Sequence, residues 1–124
     1  MSRRIRLVTG DTQPPLTVAL TDHNRGLPID VSGAVVVLKF RQEGQDALQA
    51  TLTGTLLIGV LLNDGTIDTT NSTPGAGGRV RFDWAPGDLD CDPGRYEGEI
   101  EITYPGGTVQ TMYDRLKFTV REEF

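Results

Sequence analysis

The sequence of 124 residues contains one cysteine, Cys91, and one histidine, His23. A lone cysteine excludes an intramolecular disulfide, so the fold must be held by core packing, as expected of synthesis in a reducing cytoplasm. The histidine lies in the polar run Asp22-His23-Asn24-Arg25-Gly26 and reads as a residue of a surface turn. Aromatic residues are only 6% of the chain. The longest apolar run, Leu56 to Leu62, is interrupted by Gly59 and falls far below the roughly 20 residues of a membrane-spanning helix, so no membrane insertion is expected. Met1-Ser2-Arg3-Arg4-Ile5-Arg6 is charged without an apolar stretch behind it, and no signal peptide is expected there. Cations are also scarce: 12 Lys and Arg stand against 17 Asp and Glu, a net charge of -5, which disfavours binding to a phosphate backbone and hence nucleic acid as a partner.

What the chain does have is turns. Fifteen glycines and seven prolines punctuate short apolar segments, with 37% hydrophobic and 23% charged residues overall. One core is expected, giving a single domain over residues 1–124 with a short N-terminal arm over about 1–9. Leu16, Val18 and Leu20 alternate with Thr17, Ala19 and Thr21 as in a half-buried strand. The β-branched run Ala34 to Phe40 reads as a strand covered on both faces over part of its length. Further strands are expected at Ala47 to Thr53, Leu56 to Leu62, Arg79 to Trp84, Tyr96 to Tyr104, Thr108 to Tyr113 and Leu116 to Arg121. Asn63-Asp64-Gly65, Pro74 to Gly78, Pro86-Gly87 and Pro105-Gly106-Gly107 separate them. Only Gln42 to Gln49 could hold a helical turn, and Gly44 weakens it. Asp68 to Gly78 reads as an exposed polar loop. So many short strands in this length favour a two-sheet antiparallel sandwich.

Asp92-Pro93-Gly94-Arg95-Tyr96, followed by the alternating segment Glu97 to Ile102, resembles the tyrosine corner of immunoglobulin-like domains. That resemblance makes Tyr96 the corner residue, Leu89 a plug at the bottom of the sandwich and Trp84 a cover for the core. Gly98 stands where antibody domains carry a cysteine, so the class implied is all-β, an immunoglobulin-like antiparallel two-sheet sandwich without a disulfide.

A wider likeness runs through Gly10-Asp11-Thr12-Gln13-Pro14-Pro15, the Leu16 to Leu20 strand, Gly26 to Val36, Gly78-Arg79-Val80-Arg81-Phe82-Asp83-Trp84 and Pro93-Gly94-Arg95-Tyr96. In that order these segments resemble the N-terminal immunoglobulin-like domain of bacteriophage baseplate upper proteins. The resemblance implies a non-enzymatic virion structural protein, a multi-copy assembly module of the tail or baseplate, found in the virion after synthesis in the host cytoplasm. Such proteins continue into stalk-like and receptor-binding-protein-docking regions, whereas this sequence ends at Phe124. A head-surface decoration or neck protein is the alternative within the structural class. A carbohydrate-binding module for host-surface glycans is the alternative from another class.

Particular residues are weighed against these readings. Asp88-Leu89-Asp90-Cys91-Asp92, with Glu99, copies the acidic spacing of a calcium loop, but Pro93 stands where that loop needs glycine, and an acidic turn is expected instead. The aspartates flanking Cys91 should suppress its thiolate. Gly75-Ala76-Gly77-Gly78 lacks the Lys-Ser/Thr pair and helix of a phosphate-binding loop. Trp84, Tyr104 and Tyr113 could stack on sugar rings if exposed, but core or edge packing is expected. No catalytic residue, metal site or cofactor is assigned. Contacts to other virion proteins are expected through Arg3, Arg4 and Arg6 of the arm and through the Asp68 to Gly78 loop, with the chain monomeric or weakly associated alone.

Overall fold

Alternating and β-branched segments form strands throughout a computed structural model that describes residues 4–22 and 24–123. In chain order they are β1 (Ile5–Val8), β2 (Leu16–Ala19), β3 (Thr21–Asp22), β4 (Leu27–Pro28), β5 (Val35–Gln42), β6 (Ala50–Thr53) and β7 (Thr55–Leu56). There follow β8 (Val60–Leu61), β9 (Ile67–Asp68), β10 (Arg79–Phe82), β11 (Gly94–Thr103), β12 (Val109–Thr111) and β13 (Leu116–Arg121). The larger sheet runs β1-β13-β11-β5-β6, with β12 also pairing to β11, and the smaller runs β2-β10-β7. Two hairpins, β3–β4 and β8–β9, stand apart. The β1–β13 pair is parallel and the other pairs are antiparallel.

The two sheets bury one core between them, and the molecule is an immunoglobulin-like β-sandwich without a disulfide. The period-2 pattern of β5 turns Val36, Leu38 and Phe40 inward, to meet Ile100, Ile102, Phe118 and Val120 of the same sheet and Val80 and Phe82 of the other. Each such side chain contributes roughly 1.5–3 kcal/mol through removal from water. Phe40 is the centre: its ring stacks on Tyr96 at 5.0 Å and meets Trp84 and Phe118 edge-on, each at 5.1 Å.

Gly54 lets the chain change sheets. β6 ends in the larger sheet and β7 begins in the smaller, with Gly54 N–H donating to Val36 O at 2.7 Å. A Cβ at this position would collide with the Val80 side chain and approach Phe82 to 3.0 Å, so only glycine fits the crossing.

Several expected elements are corrected. Residues 5–8 are no free arm: Ile5 to Val8 pair in register with Phe118 to Arg121, and Leu7 is only 5% exposed. The run Leu56 to Leu62 is two strands with a bend between them, where Gly59 adopts φ of 105°. Asp68 to Gly78 begins in β9 and ends packed, since Val31 N–H donates to Gly75 O at 2.9 Å and Leu20 N–H to Gly78 O at 2.8 Å. Gln42 to Gln49 holds no helical turn; it closes the β5–β6 connection, with Gln49 N–H returning to Phe40 O.

Candidate functional site

The register places the two ends of the sandwich in contrast. At one end β5 begins, β11 finishes at Thr103 opposite Val35, and β2 and β7 finish beside Arg79 and Val80 at the start of β10. Both hairpins emerge there, from the β2–β5 and β7–β10 connections. So do most of the exposed large apolar side chains: Leu27 on β4, Val35, Val109, and Ile58, Leu61, Leu62 and Ile67 of the second hairpin. Leu61 and Ile67 are direct cross-strand partners, 49% and 39% exposed. At the other end lie the charged connections, including Asp88 to Asp92 and the β5–β6 turn.

The apolar hairpin is framed by polar groups that are satisfied locally. Asp64 accepts from Thr66 N and Oγ1 at 2.9 and 2.6 Å, and Asp68 from Thr70 N and Oγ1 at the same distances. These bonds hold both carboxyls below the usual aspartate range. Leu62 N–H donates to Thr66 O at 2.9 Å, closing the turn. The sequence reading took Asn63-Asp64-Gly65 only as a separator between successive strands. An Asp-Gly pair between two short apolar runs is itself a hairpin signal, and it marked this element.

On the outer face of the larger sheet, Glu97 is the one buried charged residue among those described, at 6% exposure. It accepts from Arg41 Nε at 2.8 Å and Lys117 Nζ at 3.4 Å, with Arg115 at 3.6 Å. Burial acts to raise its pKa, and the three cations outweigh that effect, so its carboxyl lies below the ordinary value. Lys39–Glu101 at 3.0 Å and Arg115–Glu99 at 3.8 Å extend the ladder. Each of these carboxylates is thus paired with at least one cation across the sheet.

The residues singled out from the sequence are widely separated in role. Tyr96 Oη donates to Asp92 O at 2.7 Å, Leu89 is 1% exposed in the core, and Trp84 is 4% exposed between Phe40 and Phe118. Trp84 Nε1 is buried without a hydrogen-bond partner among the described residues. Arg4 is engaged within the chain, pairing with Glu43 and donating to Thr119 Oγ1 at 3.0 Å and Phe118 O at 2.9 Å, so it is corrected from a loose anchor to a clamp on β13. Arg6 is exposed on β1. Arg3 lies outside the described residues, as does His23.

The acidic turn is structural: Asp88 Oδ2 accepts from Ala85 N–H at 2.8 Å, as in a capped turn. The Cys91 thiol is pushed up chiefly by burial and only secondarily by Asp92 and Asp90, with the Tyr96 hydroxyl acting the other way. The expected reason, aspartate repulsion, is therefore the lesser one. The sugar-stacking platform does not form. Trp84 is in the core, Tyr104 is half-buried and donates to Gln110 Oε1 at 2.7 Å, and of the three only Tyr113 is exposed.

No family model and no curated protein matches the chain. Among solved structures it is similar to AggA, the major subunit of aggregative adherence fimbriae type I from Escherichia coli. The TM-score is 0.40 and the identity 16%, over 94% of this chain and 90% of that one. The expected assignment to a phage tail, baseplate, neck or head surface is corrected on this finding, since the solved structure is a fimbrial subunit.

Proposed function

We propose that the chain is a non-enzymatic assembly module that works in multiple copies, and that copies meet through the apolar end of the sandwich. The observation that carries this reading is the collection of exposed apolar side chains around the β8–β9 hairpin, where Leu61 and Ile67 pair with their faces open to water. Exposed apolar side chains gathered in one region mark interaction surfaces, and their burial drives association. A two-stranded hairpin is marginal in isolation and gains order when covered. The charged groups elsewhere support a structural role, because the Glu97 ladder and the Asp88 turn are satisfied by their neighbours. Association of the isolated chain is weak, and other subunits or high local concentration complete it.

Sedimentation velocity over a wide concentration range tests the proposal. The wild-type chain is expected to sediment faster as concentration rises, and Leu61→Glu combined with Ile67→Glu to remain monomeric with an unchanged denaturation midpoint. Equal association of the double variant, or a strictly monomeric wild type at the highest attainable concentration, would reject the apolar end as the contact.

A further inference from the structure

The chain holds one Asp-Gly and one Asp-Pro step, Asp64-Gly65 and Asp92-Pro93, the two dipeptides in which an aspartate side chain most readily attacks the backbone. Asp64 is locked. Its carboxylate is held by Thr66 N–H and Oγ1, and the Gly65 N–H, whose nitrogen would have to attack it, donates to Leu62 O at 3.0 Å. Asp92 is held in the opposite way. It is exposed in the connection between β10 and β11, and among the described residues no hydrogen bond or ion pair engages its carboxyl. Its main-chain carbonyl is the engaged group, since Tyr96 Oη donates to that oxygen at 2.7 Å.

This arrangement bears on the peptide bond between Asp92 and Pro93. The carboxylate and the carbonyl carbon belong to one residue, so rotation about the side-chain bonds of Asp92 is enough to bring them together, and an exposed carboxyl without a partner is free to rotate. Proline has no N–H, which closes the route to a cyclic imide through the nitrogen of the following residue. Its tertiary nitrogen is a good leaving group once protonated. A hydroxyl already placed on the carbonyl oxygen stabilises the negative charge that develops there when the carbon is attacked. The ring of Tyr96 is stacked in the core on Phe40, which keeps that donor in position.

We infer that the Asp92-Pro93 peptide bond is a self-cleavage site, with the Asp92 carboxylate as nucleophile and the Tyr96 hydroxyl as donor to the carbonyl oxygen. A carboxylate oxygen of Asp92 bonds to the Asp92 carbonyl carbon and closes a cyclic anhydride. The bond from that carbon to the Pro93 nitrogen breaks, and the nitrogen keeps the electron pair and takes a proton from the acidic solvent. Water then opens the anhydride, leaving residues 1–92 with free side-chain and terminal carboxyls at Asp92 and residues 93–124 with a proline amine. Water and a proton are the only co-reactants. The nicked molecule stays together, because β11 remains paired with β5 on one side and β13 on the other.

The test holds dilute full-length chain at about pH 4, near the ordinary aspartate pKa, where carboxylate and acid are both present. Intact mass spectrometry follows the two pieces, and circular dichroism records that the fold persists. Cleavage at Asp92-Pro93 is expected to run faster in the folded chain than in the same chain unfolded in urea at that pH. Tyr96→Phe should slow the folded rate about tenfold or more and leave the unfolded rate unchanged. Val80→Ala, which weakens the core from the other sheet and keeps the hydroxyl, should retain the fast rate while folded, so that loss of stability is told apart from loss of the donor. Asp92→Asn should abolish cleavage with the fold intact. A folded chain that stays whole, a folded rate at or below the unfolded one, an equal rate in Tyr96→Phe, a rate in Val80→Ala as slow as in Tyr96→Phe, or cleavage that persists in Asp92→Asn would overturn the inference.

Discussion

Tyr96 Oη reaches back four residues to donate to the carbonyl of Asp92 at 2.7 Å, while its ring stacks on Phe40 with centroids 5.0 Å apart. One side chain thus ties the acidic turn to the centre of the core. Burial, above all, pushes the phenol far above the ordinary tyrosine range, so it remains a donor at every physiological pH. Tyr96→Phe keeps the stack and loses the bond. It is expected to lower stability by about 1 kcal/mol, read from the urea midpoint, with assembly unchanged. An unaltered midpoint would show that the bond contributes nothing net.

Gly98, two residues further along β11, faces the core with no room for a methyl group. A Cβ would lie 2.7 Å from Leu38 Cδ1 and 3.0 Å from Phe118 Cε1. Gly98→Ala is expected to cost about 1–3 kcal/mol by overpacking. Thermal unfolding should show the fall, and a stabilised variant would mean that Leu38 and Phe118 yield freely.

Leu7 tests whether β1 belongs to the fold. Its side chain is 5% exposed and part of the core, so Leu7→Ala should cost about 2–5 kcal/mol. A free arm would tolerate the change without any shift in the chemical denaturation curve.

The Glu97 cluster sets an acid limit. Its folded carboxyl titrates below the ordinary 4.5, so the fold favours the ionised form. That stability is fully present above the unfolded value and is lost as pH falls through the lower, folded one. Glu43 beside Arg4, and Asp30 bonded by Ser32, act in the same sense. Glu97→Gln should cost about 1–3 kcal/mol at neutral pH and flatten the loss of stability between neutral and acid pH, followed by urea midpoints. An acid limb identical to the wild type would assign that dependence to other carboxyls.

The sandwich was legible because its strands obey local rules. Val36, Leu38 and Phe40 alternate inward, and Pro93-Gly94-Arg95-Tyr96 announces a corner whose bond is formed within a few residues. β1 was not legible as a strand, since Ile5 to Val8 is short and arginine-rich and its pairing to Phe118 to Arg121 joins residues more than a hundred positions apart. The partition of Leu56 to Leu62 was hidden for a related reason. Apolar content alone cannot distinguish a core strand from a hairpin whose Leu61 and Ile67 face water, and the decision lay in the glycine at 59 and the Asp64-Gly65 turn. Of the expected contact residues, Arg6 faces solvent at a sheet edge while Arg4 is taken up by Glu43 and Thr119, a difference that only the tertiary pairing determines.

Hydrogen exchange measured by mass spectrometry on dilute and assembled chain tests most directly whether the apolar end is the assembly contact. On assembly, protection should rise over residues 57–69 and at the adjoining segments around 27 and 109, with the Asp88 to Asp92 turn unchanged. Protection gained only at that turn or along β13, or no gain over 57–69, would contradict it.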